Sequence, residues 1–304
     1  MQGKRMFVHD YTRPGFYMIT MVTGGRRPLF GKCRNNRAEL SLAGEIVRRR
    51  WSDIPSFRPS IEASTLVVMP DHLHGILYVK EPLVKPVGNT IRGFASGVTS
   101  ELRKKMHNPV LKVWEKGFYD RVIMNSDTLQ AERNYIRDNP RRFCLKKANP
   151  DLFSRVNKLE NARLQEGEKL AGFGNLFLLN KPELLAVQVS RKASVVEIAA
   201  LKRKVLERLE CGAVAVSPFI SPGEKEIAQL VMEQGYGGLI LIKPAGFAPL
   251  YKPSGKYFDL CVQGRLLVLS AFAYTGRKQE LTRECCLRMN GWVAYMCANN
   301  GAPQ

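Results

Sequence analysis

His72 and His74 stand two residues apart in the run Leu-Val-Val-Met-Pro-Asp-His-Leu-His-Gly-Ile-Leu-Tyr-Val at 66–79. The chain of 304 residues has four histidines, so half of them fall in this short run. Residues two apart on a strand point to the same face, so the two imidazoles project side by side while Leu73 points into the core. A second constellation follows at Asn134-Tyr135-Ile136-Arg137-Asp138-Asn139-Pro140. There a helical segment carries a phenol and a polar amide four residues apart, on one face about a turn from each other. Together the two constellations point to a metal site that presents a phosphodiester to a tyrosine nucleophile.

The elements that must hold these groups are legible as pattern. Phe16–Val22 reads as a first strand, and Gly24 to Pro28 as a basic loop. Glu39 to Trp51 has helical spacing, with Arg48, Arg49 and Arg50 at its end, where the helix dipole favours cations. Ile61–Met69 and His72–Val79 form a hairpin around Pro70-Asp71, a turn signal; Asp71 stands ready either to make that turn or to orient a histidine. Asn89 to Lys105 is helical, and Phe118–Ile123 is a short strand. Ser126 caps a helix that is expected to stop before Pro140. The order β-α-β-β-α-β-α predicts an α+β sandwich, an antiparallel sheet with helices packed against it.

Charge is unevenly spread. The chain holds 47 Lys and Arg against 27 Asp and Glu, a formal net of +20. Residues 1–158 hold 29 basic and 14 acidic residues, and the remainder 18 and 13. A polyanionic partner is therefore expected on the first half. Arg92, Arg103, Lys104, Lys105, Arg141 and Arg142 are the expected phosphate contacts, with Phe94 or Phe118 for stacking on unpaired bases. The seven cysteines are scattered without C-x-x-C spacing, which fits reduced thiols better than a zinc ribbon or a disulfide framework. The first residues, Met-Gln-Gly-Lys-Arg-Met-Phe, lack the apolar stretch of a signal peptide, and no run approaches a membrane span. A cytoplasmic protein with no membrane partner is the expectation.

Met-Pro-Asp-His-Leu-His resembles the histidine–hydrophobic–histidine motif of the single-strand DNA endonucleases and transposases known by that signature (HUH). Trp114 to Ile123 and Tyr135-Ile136-Arg137-Asp138-Asn139-Pro140 resemble the blocks of one branch, the REP-associated tyrosine transposases, over roughly residues 10–145. The resemblance implies a ferredoxin- or RRM-like fold and a divalent cation, magnesium or manganese (Mg2+ or Mn2+), held by His72, His74 and Asn139. It implies attack by Tyr135 on single-stranded or hairpin DNA to leave a 5′-phosphotyrosine and a free 3′-hydroxyl. Tyr119 is the rival nucleophile, in a strand-like segment that suits structural packing better. His9 and His107 have no expected role. A rival function is an idle binding protein that recognises hairpin DNA or RNA; a homodimer is left open.

The implied division is a nuclease domain at 1–145, a linker at 146–171 and a second domain at 172–304. In that second domain strand-like runs (Leu176–Leu179, Leu184–Val189, Ala213–Val216, Leu239–Ile242, Leu266–Leu269) alternate with helical ones (Val195–Leu209, Gly223–Gln234, Glu280–Cys297), and Ser194 with Glu197 forms a capping box. The alternation predicts a Rossmann-like α/β domain with a parallel sheet. It has neither G-x-G-x-x-G nor a P-loop, and faintly resembles domains of DNA-uptake processing proteins. Gly235 to Gly238 reads as a helix stop and turn.

Overall fold

The computed structural model describes residues 9–298 except 166 and 277–279; the first residues, on which the signal-peptide reading rests, lie outside them. The chain divides into two compact units, Met1–Lys147 and Ala148–Gln304.

The first unit runs β1 (Gly15–Val22), β2 (Gly31–Arg34), β3 (Arg37–Leu40), α1 (Leu42–Ser52), α2 (Ile54–Phe57), β4 (Ile61–Met69), β5 (His72–Val79), α3 (Val87–Lys105), β6 (Tyr119–Ile123) and α4 (Ser126–Ala148). Four strands form one sheet in the order β4-β5-β1-β6, every pair antiparallel. Strand alternation splits its residues between two cores. Tyr17, Ile19, Leu73 and Leu77 face α1 and α3, joining Val47, Trp51, Ile91 and Val98. Met18, Ile76 and Ile123 face the other way and meet Ile136 of α4. The unit is thus an α+β sandwich.

Gly75 sits between these layers for a steric reason. A Cβ there would lie 2.3 Å from Cζ2 of Trp51, which is 1% exposed. The strand that carries the histidines therefore needs a residue without a side chain one position after His74. Glu101 ties α1 to α3 by accepting from Arg50 at 2.8 Å and from Arg49.

Two boundaries differ from the sequence reading. Glu39 and Leu40 end β3 rather than begin a helix, pairing with Lys32 and Gly31. The turn between β2 and β3 is Asn35-Asn36, both at positive φ (47° and 62°), which asparagine tolerates. The helix begins after Ser41, whose Oγ accepts the Gly44 N–H at 3.2 Å. Helix α4 also continues through Pro140 to Ala148. A proline inside a helix removes one N–H donor and strains one turn without forbidding the rest. Its cap is Asn125, not Ser126, because Asn125 Oδ1 accepts from the Thr128 N–H at 2.8 Å.

The second unit runs β7 (Arg155–Val156), β8 (Ala171–Gly174), β9 (Leu184–Ala186), α5 (Val195–Glu210), β10 (Val214–Ser217), α6 (Pro222–Glu233), β11 (Gly238–Ile242), α7 (Lys256–Val262), β12 (Leu266–Ser270) and α8 (Arg283–Ala298). Its sheet order is β7-β8-β12-β11-β10-β9. Strands β9 to β12 are parallel, while β8 and β7 add an antiparallel edge. The sheet is therefore mixed, not wholly parallel. Leu176–Asn180 forms a 3-10 turn instead of a strand, capped by Asn175, which accepts from the Phe177 N–H at 3.1 Å. The Ser194–Glu197 capping box is present, and Ser221 with Glu224 makes a second. Leu159, Leu164 and Leu170, in the stretch expected to link the domains, are buried in this unit's core. Gly237, at φ 70°, turns the chain from α6 into β11, and the Arg265 guanidinium braces that turn by donating to the Gly237 and Gln234 carbonyls, both at 2.6 Å. Among the described residues no helix is long and apolar enough to cross a membrane.

Candidate active site

Strand β5 places His72 and His74 on the sheet face covered by α4, each 9% exposed, with ring centroids 4.9 Å apart. Each imidazole is held through Nδ1. His72 Nδ1 donates to Asp71 Oδ1 at 2.6 Å, and Arg26 donates to Asp71 Oδ2 at 3.3 Å. His74 Nδ1 lies 2.8 Å from Oγ1 of Thr20, its direct partner in the β1–β5 register. A ring fixed at Nδ1 presents Nε2 as the nitrogen that would take a metal. Burial would raise the Asp71 carboxyl, but hydrogen bonds and charge from His72 and Arg26 hold it below the ordinary aspartate value. Asp71 therefore remains an anion that fixes the His72 ring.

Helix α4 lies over this face, seated by Ile136 against Met18, Ile76 and Ile123. The Tyr135 ring meets the His74 ring edge-on at 5.8 Å between centroids. One turn on, Asn139 is 6% exposed, and its buried Nδ2 has no hydrogen-bond partner. A half-turn of the side-chain amide about its last torsion would bring Oδ1 to the same position. Asn139 follows Tyr135 by one turn on α4, and the Tyr135 ring meets His74, so this amide is a candidate to join the imidazoles in holding a divalent cation. Among the described residues no group of three His, Cys, Asp or Glu could hold a metal. Two imidazoles and one neutral amide would make a donor set suited to manganese better than to magnesium and completed by water or substrate oxygens.

Tyr119 lies on the same sheet face, in the same cross-strand row: it is opposite Thr20 on β6, and Thr20 is opposite His74. It is two strands from the histidines and 41% exposed. The structure brings Tyr135 to His74 by ring contact and leaves Tyr119 at the rim.

The expected phosphate contacts do not gather in one place. Helix α3 packs on the sheet face opposite His72 and His74, so Arg92, Arg103, Lys104 and Lys105 are behind the sheet. Arg92 donates to Asn89, and Arg103 Nε donates to the Leu111 carbonyl at 3.1 Å. Beside them lies an open groove of about 790 Å³ lined by Ser96, Ser100, Arg103, Lys104, His107 and Trp114. Phe94 is only 7% exposed and packs edge-on against Trp51, so it offers no stacking face. Phe118 is half-buried against the same core. Arg141 and Arg142 alone of the six belong to α4. Thr20 and Arg26 escaped the sequence reading. The register of β1 against β5 is the signal that exposes Thr20, and nothing in the local sequence marks Arg26.

Fold and site together define a two-unit protein whose first unit, an α+β sandwich, carries a paired-histidine and tyrosine constellation. No family model matches the chain. An uncharacterized protein of Haemophilus influenzae is 30% identical over 156 residues, an alignment covering 45% of this chain and 86% of that protein. The chain belongs to the family of that protein. Among solved structures, a REP-associated tyrosine transposase bound to a REP hairpin is 19% identical with a TM-score of 0.36, covering 47% of this chain and 74% of the other. DNA processing protein A of Helicobacter pylori, solved for its single-stranded DNA binding mode, is 18% identical with a TM-score of 0.37 over 48% of this chain and 66% of the other. Its Streptococcus pneumoniae counterpart is 22% identical with a TM-score of 0.36 over 58% and 60%. At these TM-scores neither the fold family nor the activity of those proteins transfers to this chain.

Proposed function

We propose that the chain is a metal-dependent single-strand DNA endonuclease and strand transferase that cuts beside a hairpin through Tyr135. The observation that carries this reading is the convergence of His72, His74 and Tyr135 on one sheet face, with Asn139 a turn beyond the tyrosine. His72, His74 and Asn139 would hold the cation. When bound, it would polarise the scissile phosphate as a Lewis acid. Asp71 and Thr20 keep the imidazoles oriented, and the face of α4 keeps the phenol at the rim of the histidine pair. Tyr135 Oη forms the bond to phosphorus and the P–O3′ bond breaks, leaving a 5′-phosphotyrosine and a free 3′-hydroxyl that can rejoin. The basic excess of the first half supports a DNA partner. The second unit acts in target choice, assembly or regulation.

The test is a labelled hairpin oligonucleotide with manganese, resolved on a denaturing gel. Wild-type protein is expected to yield a covalent adduct. His72→Ala and His74→Ala should abolish it, and Asn139→Ala should lose less because water replaces one neutral ligand. Full-rate cleavage in chelator would refute the metal-dependent reading.

A further inference from the structure

Two adjacent arginines follow Asn139 on α4, and only Arg142 continues the face that carries Tyr135. Arg141 is engaged twice by one carboxylate, donating from Nε to Asp138 Oδ1 at 2.6 Å and from Nη2 to Oδ2 at 3.0 Å. Arg142 pairs with that carboxylate as well, at 3.9 Å. Its side chain is 11% exposed against 37% for Arg141. The Arg142 guanidinium carbon stands 5.8 Å from the centroid of the Tyr135 ring, two helical turns back on the same face. The same ring meets His74.

We propose that Arg142 is a catalytic residue that binds the non-bridging oxygens of the scissile phosphate, while Arg141 serves to hold Asp138. The assignment rests on the reading of Tyr135 as the nucleophile. As Tyr135 Oη bonds to phosphorus, the P–O3′ bond breaks with its electron pair on O3′; the phenol gives up one proton and O3′ takes one up. Between those events negative charge concentrates on the non-bridging oxygens. A planar guanidinium beside the attacking ring meets two of them with parallel N–H donors, a geometry that lysine cannot reproduce. Fixed donors placed where charge develops are worth more in a sheltered site than in water.

The experiment compares wild type, Arg142→Gln, Arg142→Lys and Arg141→Gln. Each is assayed on a hairpin oligonucleotide cut at a position first mapped with wild type, and on the same oligonucleotide with a neutral methylphosphonate at that linkage. On the natural linkage Arg142→Gln should form adduct about 10²-fold more slowly. Arg142→Lys should recover part of that rate, and Arg141→Gln should lose less than Arg142→Gln. On the neutral linkage wild type and Arg142→Gln should become equal, because the charge that Arg142 meets is gone. An equal loss on both linkages, or a loss in Arg141→Gln as large as in Arg142→Gln, would overturn the assignment. If wild type forms no adduct, the reading of Tyr135 fails and the Arg142 role falls with it. An adduct without linkage dependence sinks the Arg142 role alone.

Discussion

The Tyr135 ring sits edge-on to the His74 ring, 5.8 Å between centroids, although the two residues come from a helix and a strand far apart in sequence. The contact depends on devices that hold each ring from behind. His74 is fixed by Thr20 across the sheet, and Tyr135 by the Ile136 contact beneath α4.

Those devices are testable separately from the rings. Asp71→Asn removes the anion that fixes His72, and Thr20→Val removes the hydroxyl beside His74. Each is expected to weaken manganese binding by roughly 10–100-fold while leaving the circular dichroism spectrum unchanged. Titration calorimetry checks this. Unaltered affinity in both variants would mean that the imidazoles need no outer support.

Gly75 couples the histidine strand to the core behind it. Gly75→Ala drives a methyl into the Trp51 ring, and overpacking of this kind costs typically about 1–3 kcal/mol. Urea unfolding should show a lower midpoint. Trp51→Leu in the Gly75→Ala background should recover part of the loss by opening space. A Gly75→Ala variant as stable as wild type would show that the indole shifts freely.

Division of the chain gives a further prediction. Unit 1 ends at Lys147, and Arg155 already belongs to the second unit's sheet through its pairing with Phe173. A fragment of residues 1–148 is therefore expected to fold cooperatively and to retain adduct formation, because His72, His74, Tyr135 and Asn139 all fall within it. One ending at Arg155 would carry an unpaired strand. A folded 1–148 fragment that binds hairpin DNA but cuts only when the second unit is added would place an essential residue beyond 148.

Much of this site was legible before any coordinates. A period of two put His72 and His74 on one face, and a spacing of four put Tyr135 and Asn139 on another, because each inference needs only local geometry. What stayed hidden was non-local or a conflict between local rules. The Leu40–Leu42–Ile46 spacing imitates a helix, which masked the β2–β3 hairpin despite its Asn35-Asn36 turn. Pro140 signals a stop, yet α4 passes through it. The apolar stripe of α3 shows that the helix packs, not on which side of the sheet. Its basic residues were therefore grouped with the tyrosine that they face away from. Thr20 required the strand register.

The most direct measurement is to digest the covalent protein–DNA adduct and identify by mass spectrometry the residue that carries the nucleotide, for wild type, Tyr135→Phe and Tyr119→Phe. The account predicts the nucleotide on Tyr135 in wild type, the same site in Tyr119→Phe, and no adduct in Tyr135→Phe with hairpin binding retained. An adduct on Tyr119, surviving in Tyr135→Phe, would contradict it.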